Sequence, residues 1–277
     1  MQPKSRNNVK PIDIKAVILA GGLGTRLREE TEFRPKPMIE IGERPILWHI
    51  MKIYSHYGVR DFVICLGYKG EMIKDYFLNY EIRHADITIE LNSEKHVEIH
   101  SKTDEQNWRV TLVETGHDSQ TGARLKRAQK YIDTDPFLLT YGDGVSDIDV
   151  SDLLRFHKSH GKIATVTGVQ PPSRFGELMT KSKKVVEFGE KRNLSDGGMI
   201  NGGYMVFDHR VFRYLTEREE CVLEKQPLER LAKSGQLMVY RHKGFWQCMD
   251  TLRDMNLLNS LWEKKKAPWK IWNHAAV

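Results

Sequence analysis

The sequence predicts an α/β fold, a Rossmann-like, open and mostly parallel sheet flanked by helices, with a small antiparallel insertion. Three observations lead to this prediction. Apolar, strand-like runs alternate with amphipathic, helix-like segments from Lys15 onwards. Residues 16–20 are continuously apolar, which is typical of a parallel strand covered on both faces. A glycine-rich turn follows that run directly, at the strand end where sheets of this kind bind ligands.

The helices and strands can be assigned in chain order. Pro45 and Gly58 delimit one helix, because proline suits the first helical position and glycine commonly ends helices. Residues 86–101 are predicted to be the antiparallel insertion, since they contain two stretches of alternating polar and apolar residues. The predicted helices are 45–57, 70–80, 122–132, 149–160 and 251–263. The predicted strands are 16–20, 61–67, 108–115, 137–141, 162–169, 184–189 and 202–207.

The composition bounds the domain organisation. The chain has 277 residues, of which 40% are hydrophobic, enough for one large α/β domain. Residues 15–277 are predicted to form that single domain, and the polar residues 1–14 a mobile N-terminal leader. No run approaches the roughly 18 apolar residues of a membrane span, and the basic N-terminus lacks the apolar stretch of a secretory signal. The three cysteines form no Cys-x-x-Cys pair, which predicts a cytoplasmic location and no structural zinc.

The net charge of +6 is concentrated at the two ends of the chain. Residues 1–15 and residues 263–277 each carry a net charge of +3, so residues 16–262 sum to zero. A protein that binds nucleic acid would show a basic face on its folded domain. The sequence therefore predicts neither nucleic acid nor a membrane as a partner.

The glycine-rich turn and the cations that follow it predict a polyphosphate site. Gly21, Gly22 and Gly24 allow positive φ and leave no Cβ between a phosphate and the backbone amides. Arg26 can donate two hydrogen bonds to phosphate oxygens. Lys36 lies between two prolines, which predicts a stiff, extended backbone there. The alternative interpretation is that the glycines only make a turn.

This turn matches neither of two common glycine motifs. A P-loop has Gly-Lys followed by Ser or Thr, whereas Gly24 is followed by Thr25 and Arg26. A dinucleotide fingerprint has a third glycine where this chain has Leu27. An NAD-dependent enzyme is therefore the weaker hypothesis.

Two aspartates are candidate magnesium ligands. Asp143 follows the apolar strand 137–141 and lies between two glycines, so its carboxylate projects from a strand end. Such an oxygen ligand suits Mg²⁺ that is also bound to phosphate, although an aspartate before glycine is also common in plain turns. Asp250 precedes helix 251–263, and on local sequence it equally suits a helix N-cap. Asp149 is predicted to be the N-cap of helix 149–160.

The motifs resemble those of a known family. Residues 21–27 read Gly-Gly-x-Gly-Thr-Arg-Leu, and residues 35–38 read Pro-Lys-Pro-Met. This pair resembles the signature of the sugar-1-phosphate nucleotidylyltransferases, and the resemblance extends over about residues 15–272. Within the family, the later motifs are similar to those of members that use CTP and glucose 1-phosphate. These motifs lie at 46–51, 140–144, 200–203, 244–247, 250–254 and 267–270.

The resemblance implies a role for each matching residue. Arg26 and Lys36 would be catalytic, and Asp143 and Asp250 together would hold one Mg²⁺. The nucleotide would be bound by Leu19, Ala20, Gly21, Gly22, Gly24, Thr25, Arg26, Lys36, Ser119, Arg124 and Gly142. The sugar phosphate would be bound by Glu190, Lys191, Asn201 and Gly202. The chain departs from the family at Arg192, where proline is common after the lysine.

The implied reaction is the Mg²⁺-dependent transfer of a cytidylyl group from CTP to α-D-glucose 1-phosphate, which gives CDP-glucose and pyrophosphate. Backbone carbonyls near Gly21 and Gly22, or in the loop 116–122, are expected to accept a hydrogen bond from N4 of cytosine. One alternative is the same chemistry with UTP, dTTP or another sugar 1-phosphate, and another is a non-catalytic regulatory protein that binds nucleotide sugars. The resemblance also implies a homo-oligomer, with a hexamer as one form and residues 268–272 as a subunit contact.

Overall fold

The computed structural model describes residues 10–91, 96–100, 105, 107–170, 177–181, 184–189 and 199–272. Its centre is a seven-stranded sheet. The fifteen described strands are β1 Lys15–Leu19, β2 Glu40–Ile41, β3 Arg44–Pro45, β4 Asp61–Leu66, β5 Ile87–Glu90, β6 His96–Ile99, β7 Arg109–Glu114, β8 Phe137–Tyr141, β9 Gly144–Ser146, β10 Ala164–Val169, β11 Glu177–Lys181, β12 Lys184–Gly189, β13 Ile200–Phe207, β14 Leu237–Arg241 and β15 Trp246–Cys248. The order in the large sheet is β14-β10-β13-β8-β1-β4-β7, which confirms the predicted α/β fold.

The large sheet is parallel except at one strand. β1 pairs in parallel with both β4 and β8, and β7 extends the parallel arrangement beyond β4. β13 runs antiparallel to β8 on one side and to β10 on the other. The carboxyl ends of β1 and β8 therefore lie side by side, and the segments that follow these two strands form the site described below.

The helices cover both faces of this sheet. They are α1 Arg28–Thr31, α2 Ile46–His56, α3 Gly70–Leu78, α4 Tyr80–His84, α5 Thr121–Ala128, α6 Val150–His160, α7 Gln226–Lys233 and α8 Leu252–Glu263. All five residues of β1 are buried. Ala16 and Ile18 belong to the apolar core on one face of the sheet, and Val17 and Leu19 to the core on the other face. This alternation follows from the two-residue period of a strand, and it confirms that β1 is covered on both sides.

The predicted elements agree with the structure except at their ends. Asp149 caps α6 as predicted, because its side chain accepts a hydrogen bond of 2.9 Å from the backbone amide of Asp152. The predicted helix 122–132 ends earlier, and a 3₁₀ turn, Gln129–Tyr131, replaces its last part. The predicted antiparallel insertion is confirmed as the pair of β5 and β6.

The two ends of the described chain pack against the domain. The backbone amide of Ile12 donates to the Gly58 carbonyl at 3.0 Å, and Ile14 is buried. The last residues of the predicted leader are thus attached to the core. Trp269 and Trp272 are buried around His49, so these two side chains are not available for the subunit contact expected at 268–272. In the described part of the chain, no helix combines the length and the apolar character needed to cross a membrane.

Candidate active site

The glycine-rich loop leaves β1 and turns into a 3₁₀ helix, Thr25–Leu27. Of its three glycines, Gly24 alone has a positive φ, at 63°. The freedom to adopt positive φ is therefore used at Gly24 and not at Gly21 or Gly22. Gly21 is required for space instead, because an added Cβ would lie 2.2 Å from the guanidinium of Arg124. A Cβ at Gly22 would meet no atom within 4 Å.

Lys36 does not have the extended backbone that its two proline neighbours predicted. It begins a 3₁₀ turn, Lys36–Met38. The amide of Met38 donates to the Pro35 carbonyl at 2.8 Å, and the amide of Ile39 donates to the Lys36 carbonyl at 3.1 Å. These two hydrogen bonds outweigh the bias that proline places on the preceding residue. The turn buries the lysine, which is 9% exposed, beneath the glycine-rich loop.

A small antiparallel pair of strands brings the two candidate metal ligands together. β9 follows Asp143 and pairs with β15, which precedes Asp250. Next to that pair, the amide of Met249 donates to the Asp143 carbonyl at 2.8 Å. Two aspartates 107 positions apart in sequence are thereby brought into contact with Lys36.

The ammonium of Lys36 bridges these carboxylates. Lys36 Nζ lies 2.6 Å from Asp143 Oδ2 and 2.5 Å from Asp250 Oδ1. Arg26 Nη1 lies 2.7 Å from the other oxygen of Asp250. Burial alone would lower the pKa of Lys36, but the charges of Asp143 and Asp250 outweigh it and raise that pKa above its usual value. The pKa of Asp250 is lowered, because Lys36 and Arg26 outweigh the effect of its burial.

The alternative role of Asp250 as a helix cap is wrong. Thr251 is the N-cap of α8, and its side chain accepts a hydrogen bond from the amide of Asp254. Asp254 completes a capping box by accepting a hydrogen bond from the amide of Thr251. Because these neighbours cap the helix, both carboxylate oxygens of Asp250 contact cations instead.

Two cavities meet at this charged cluster. The larger has a volume of about 530 Å³ and the smaller about 290 Å³. Arg26, Tyr141, Asp143 and Asp250 line both cavities. Every residue predicted to bind the nucleotide lines the larger cavity, together with Leu23, Pro37, His117, Asp118, Gln120 and Thr121, which are not among the predicted binding residues.

The smaller cavity contains two of the four residues predicted to bind the sugar phosphate. Asn201 and Gly202 line it, whereas Glu190 and Lys191 lie outside the described residues. Trp246 also lines it and donates from Nε1 to the Gly202 carbonyl at 2.7 Å. Cys248 is a further lining residue. Burial and the neighbouring Asp250 raise the pKa of this thiol to about 12, so the cysteine stays protonated and is a poor nucleophile.

Comparison with known proteins identifies the family of the chain. Residues 15–265 match the family described as nucleotidyl transferase. The chain belongs to that family. It is 54% identical to glucose-1-phosphate cytidylyltransferase of Salmonella typhimurium, over 94% of this chain and all of the relative. It is 44% identical to the probable glucose-1-phosphate cytidylyltransferase of Bacillus subtilis, again over 94% of this chain and all of the relative.

Solved structures with low sequence identity share the fold. A UDP-glucose pyrophosphorylase complexed with UDP-glucose superimposes with a TM-score of 0.65 at 17% identity, over 92% of this chain and all of the other. A putative glucose-1-phosphate thymidylyltransferase of Bacillus anthracis gives a TM-score of 0.64 at 19% identity, over 95% of this chain and 98% of the other. The chain is thus a nucleotidyltransferase with the α/β fold of its family.

Within this nucleotidyltransferase, Arg124 has a buried guanidinium whose donors are taken up by the protein itself. Arg124 is 4% exposed. Its acceptors are the carbonyls of Leu66 at 2.9 Å, Gly116 at 2.6 Å, Gly21 at 2.8 Å and His117 at 3.0 Å, and Thr115 Oγ1 at 3.0 Å. Arg124 therefore ties the glycine-rich loop to the loop before α5. Its direct contact with base or ribose stays a prediction.

Tyr141 stands between the two cavities and was not predicted as a functional residue. Its hydroxyl donates to Glu224, whose other carboxylate oxygen accepts from the Thr121 hydroxyl at 2.6 Å. Burial and the charge of Glu224 raise the pKa of Tyr141, so this hydroxyl remains protonated. The sequence offered no local signal for this contact, because Glu224 lies 83 positions from Tyr141.

Proposed function

We propose that this protein transfers a cytidylyl group from CTP to α-D-glucose 1-phosphate and releases pyrophosphate and CDP-glucose. The observation that carries the proposal is the cluster of Arg26, Lys36, Asp143 and Asp250 between two cavities. The names of the relatives at 54% and 44% identity support the choice of substrates. Relatives named mannose-1-phosphate guanylyltransferases are less similar, at about 31% identity.

The two cavities suit two substrates that must meet. We assign CTP to the larger cavity, whose volume of about 530 Å³ lies in the usual range for nucleotide-sized ligands. Glucose 1-phosphate is assigned to the smaller one, where Asn201 and the backbone at Gly202 offer partners for hexose hydroxyls. Glu190 and Lys191, which follow β12 in the sequence, are proposed to contact the sugar phosphate. The residues common to both cavities then surround the reacting phosphates.

The reaction is a displacement at the α-phosphorus of CTP. A phosphate oxygen of glucose 1-phosphate attacks in line, the new P–O bond forms, and the bond to pyrophosphate breaks. Such chemistry depends mainly on positioning and on neutralising charge. Arg26, which is largely exposed, would donate to the triphosphate, and Lys36 would stabilise charge on the transferring phosphoryl group. Lys191 would align the attacking phosphate.

Asp143 and Asp250 are the residues that would hold Mg²⁺. Their oxygens converge on the Lys36 ammonium within 2.6 Å, so a cation already occupies the space between them. Two carboxylates plus substrate phosphates form a typical magnesium environment, and the residues present therefore fit the ion. When bound, Mg²⁺ would neutralise phosphate charge and polarise the α-phosphorus. Lys36 would then move its ammonium from the carboxylates to the phosphoryl oxygens.

We further propose a cytoplasmic location and a homo-oligomeric state for the enzyme. A cytoplasmic location is consistent with the free cysteines Cys65, Cys221 and Cys248, since reducing compartments keep thiols unpaired. The resemblance implies a homo-oligomer, with a hexamer as the form to test by light scattering. Its partners would otherwise be the two small-molecule substrates.

Pyrophosphate release tests this function directly. The purified protein is assayed with each of the four NTPs and with several sugar 1-phosphates, at saturating Mg²⁺. We expect release with CTP and glucose 1-phosphate, and CDP-glucose as the second product. Equal release with UTP or dTTP would mean that the assignment of CTP as the nucleotide substrate is wrong. Absence of release with every pair would favour the non-catalytic regulatory protein.

A further inference from the structure

The carboxylate of Glu224 joins the walls of the two cavities. One of its oxygens accepts a hydrogen bond from the Tyr141 hydroxyl, and the other accepts from the Thr121 hydroxyl at 2.6 Å. Thr121 lines the larger cavity, and Tyr141 lines both. Glu224 itself lines neither of these two cavities, so its effect on a substrate must pass through the residues that it holds.

The segment that carries Glu224 is fixed against the start of α5. The amide of Gly122 donates to the Cys221 carbonyl at 2.9 Å, and the amide of Leu223 donates to Thr121 Oγ1 at 2.9 Å. The packing is close, because an added Cβ at Gly122 would lie 2.9 Å from the carbonyl oxygen of Cys221. The carboxylate of Glu224 therefore starts from a fixed backbone, and its two hydrogen bonds hold it in one place.

The proton of the Tyr141 hydroxyl is used by Glu224. Burial and the charge of Glu224 raise the pKa of Tyr141, so the hydroxyl keeps this proton. A phenolic hydroxyl has a single proton, and while that proton points at the carboxylate the oxygen can only accept hydrogen bonds. The side-chain amide of Asn201 faces this oxygen, with Nδ2 3.4 Å away. Because the acceptor of the Tyr141 proton is charged, the hydroxyl oxygen is polarised and becomes a better acceptor.

Two contacts together decide the orientation of the Asn201 side chain. Its Nδ2 donates to the Tyr141 oxygen, and its Oδ1 accepts from the backbone amide of Gly203 at 2.9 Å. Turning the amide group by 180° would place Nδ2 against the N–H of Gly203 and Oδ1 against a hydroxyl oxygen whose proton points elsewhere. Both contacts therefore oppose the turned orientation as long as Glu224 holds the Tyr141 proton.

The oriented amide of Asn201 offers one donor and one acceptor to the smaller cavity. Asn201 is exposed and lines that cavity. An amide nitrogen has two hydrogens and an amide oxygen has two lone pairs, and the side-chain contacts of Asn201 within the described residues use one of each. Since a sugar hydroxyl both donates and accepts, neighbouring hydroxyls of a hexose match the donor and the acceptor that remain.

We propose that Glu224 is a positioning residue for the sugar phosphate, and that it acts through Tyr141 by fixing the Asn201 amide in the orientation that binds hexose hydroxyls. Neither Glu224 nor Tyr141 has to touch the sugar in this arrangement. The inference rests on the proposed function, since it explains how the cavity assigned to glucose 1-phosphate holds one of its contact residues in place.

The test measures KM for glucose 1-phosphate in variants of these three residues. Asn201→Ala removes the amide, and we expect KM to rise about tenfold, the factor of one net hydrogen bond. Tyr141→Phe removes the hydroxyl but keeps the ring, which packs against Gly203, where an added Cβ would lie 2.6 Å from Tyr141 Cδ2. We expect Tyr141→Phe to raise KM by about three- to tenfold, with kcat nearly unchanged because the contact forms in the bound ground state.

Variants of Glu224 test the origin of the orientation. Glu224→Met should raise KM for glucose 1-phosphate as Tyr141→Phe does, because it frees the Tyr141 proton to turn towards Asn201. Glu224→Gln should raise it less, since its side-chain carbonyl still accepts a hydrogen bond. Glu220→Met is the matched control, because Glu220 is an exposed glutamate of the same segment, and its KM should equal that of wild type. A wild-type KM in a folded Glu224→Met would overturn the role of Glu224.

Double variants separate positioning from a general structural role. In an Asn201→Ala background, Tyr141→Phe and Glu224→Gln should cause no further rise in KM for glucose 1-phosphate, because the group that they position is gone. The same fold-rise as in the wild-type background would mean that Tyr141 and Glu224 act independently of Asn201, and would overturn the inference. If Glu224→Met fails to fold, Glu224→Gln and these double variants decide the proposal.

Wild-type protein is measured first, both for turnover with CTP and glucose 1-phosphate and for binding of glucose 1-phosphate by calorimetry. Binding without turnover would overturn the proposed function alone, and the same variants would then be compared by their Kd for glucose 1-phosphate. Absence of both turnover and binding would overturn the proposed function and this inference together.

Discussion

The glycine-rich loop with its charged cluster and the loop of residues 115–124 line the same cavity, yet they are held in different ways. In the first, charged side chains face the cavity, and Lys36 and Arg26 contact carboxylates there. In the second, Arg124 and Arg127 point into the protein and fix the backbone. The charges proposed to act on phosphate thus line the cavity, whereas the charges that shape the second loop form hydrogen bonds within the protein.

Loss of the charged cluster should give the largest effect. Asp143→Asn and Asp250→Asn each replace a carboxylate by a neutral amide, which is a poor Mg²⁺ ligand, so kcat should fall on the order of 100-fold or more. Steady-state pyrophosphate release at saturating Mg²⁺ measures this, with circular dichroism as the check on folding. A kcat near that of wild type in either variant would mean that the reaction does not depend on this cluster.

The two lysines should differ in which kinetic parameter they change. Lys36→Ala should lower kcat strongly, because its charge is needed most while the phosphoryl group is transferred. Lys191→Ala should mainly raise KM for glucose 1-phosphate, because that phosphate is already charged in the ground state. Full kinetics with both substrates varied separates the two. The same pattern in both variants would remove the distinction between a catalytic and a binding lysine.

Substitutions at two neighbouring glycines should give the smallest effect, and they compare two positions of the same loop. Gly21→Ala should destabilise the protein by about 1–3 kcal/mol, because the new Cβ would lie 2.2 Å from the Arg124 guanidinium and overpack the site. Gly22→Ala is the matched control, since its Cβ meets no atom within 4 Å. Urea unfolding measures both free energies of unfolding. Equal stabilities for the two variants would contradict the view that Arg124 holds the glycine-rich loop.

The difference between the glycine-rich loop and the loop of residues 115–124 also explains which site residues could be predicted from the sequence. Arg26 and Asp143 belong to motifs that follow the ends of β1 and β8, and Lys36 lies between two prolines, so local sequence pointed to all three. The role of Asp250 was ambiguous locally, because the capping box of Thr251 and Asp254 and the pairing of β9 with β15 are seen only in the structure. The 3₁₀ turn at Lys36 was missed because hydrogen bonds outweighed a backbone bias.

The contacts that fix the second loop could not be predicted. Arg124 reaches the Gly21 carbonyl across 103 positions, and Arg127 reaches Glu217 across 90. No spacing rule joins residues so far apart, and an arginine on a helix is ordinarily a surface residue. The family resemblance pointed to Arg124 alone, no prediction concerned Arg127, and packing decides which atoms both guanidinium groups contact.

Isotope labelling tests the central claim most directly. Glucose 1-phosphate carrying ¹⁸O in its phosphate is incubated with unlabelled CTP, Mg²⁺ and the enzyme, and both products are analysed by mass spectrometry. If the sugar phosphate attacks the α-phosphorus of CTP, CDP-glucose retains all of the label and pyrophosphate carries none. Label in pyrophosphate, or no labelled CDP-glucose, would contradict cytidylyl transfer at this site.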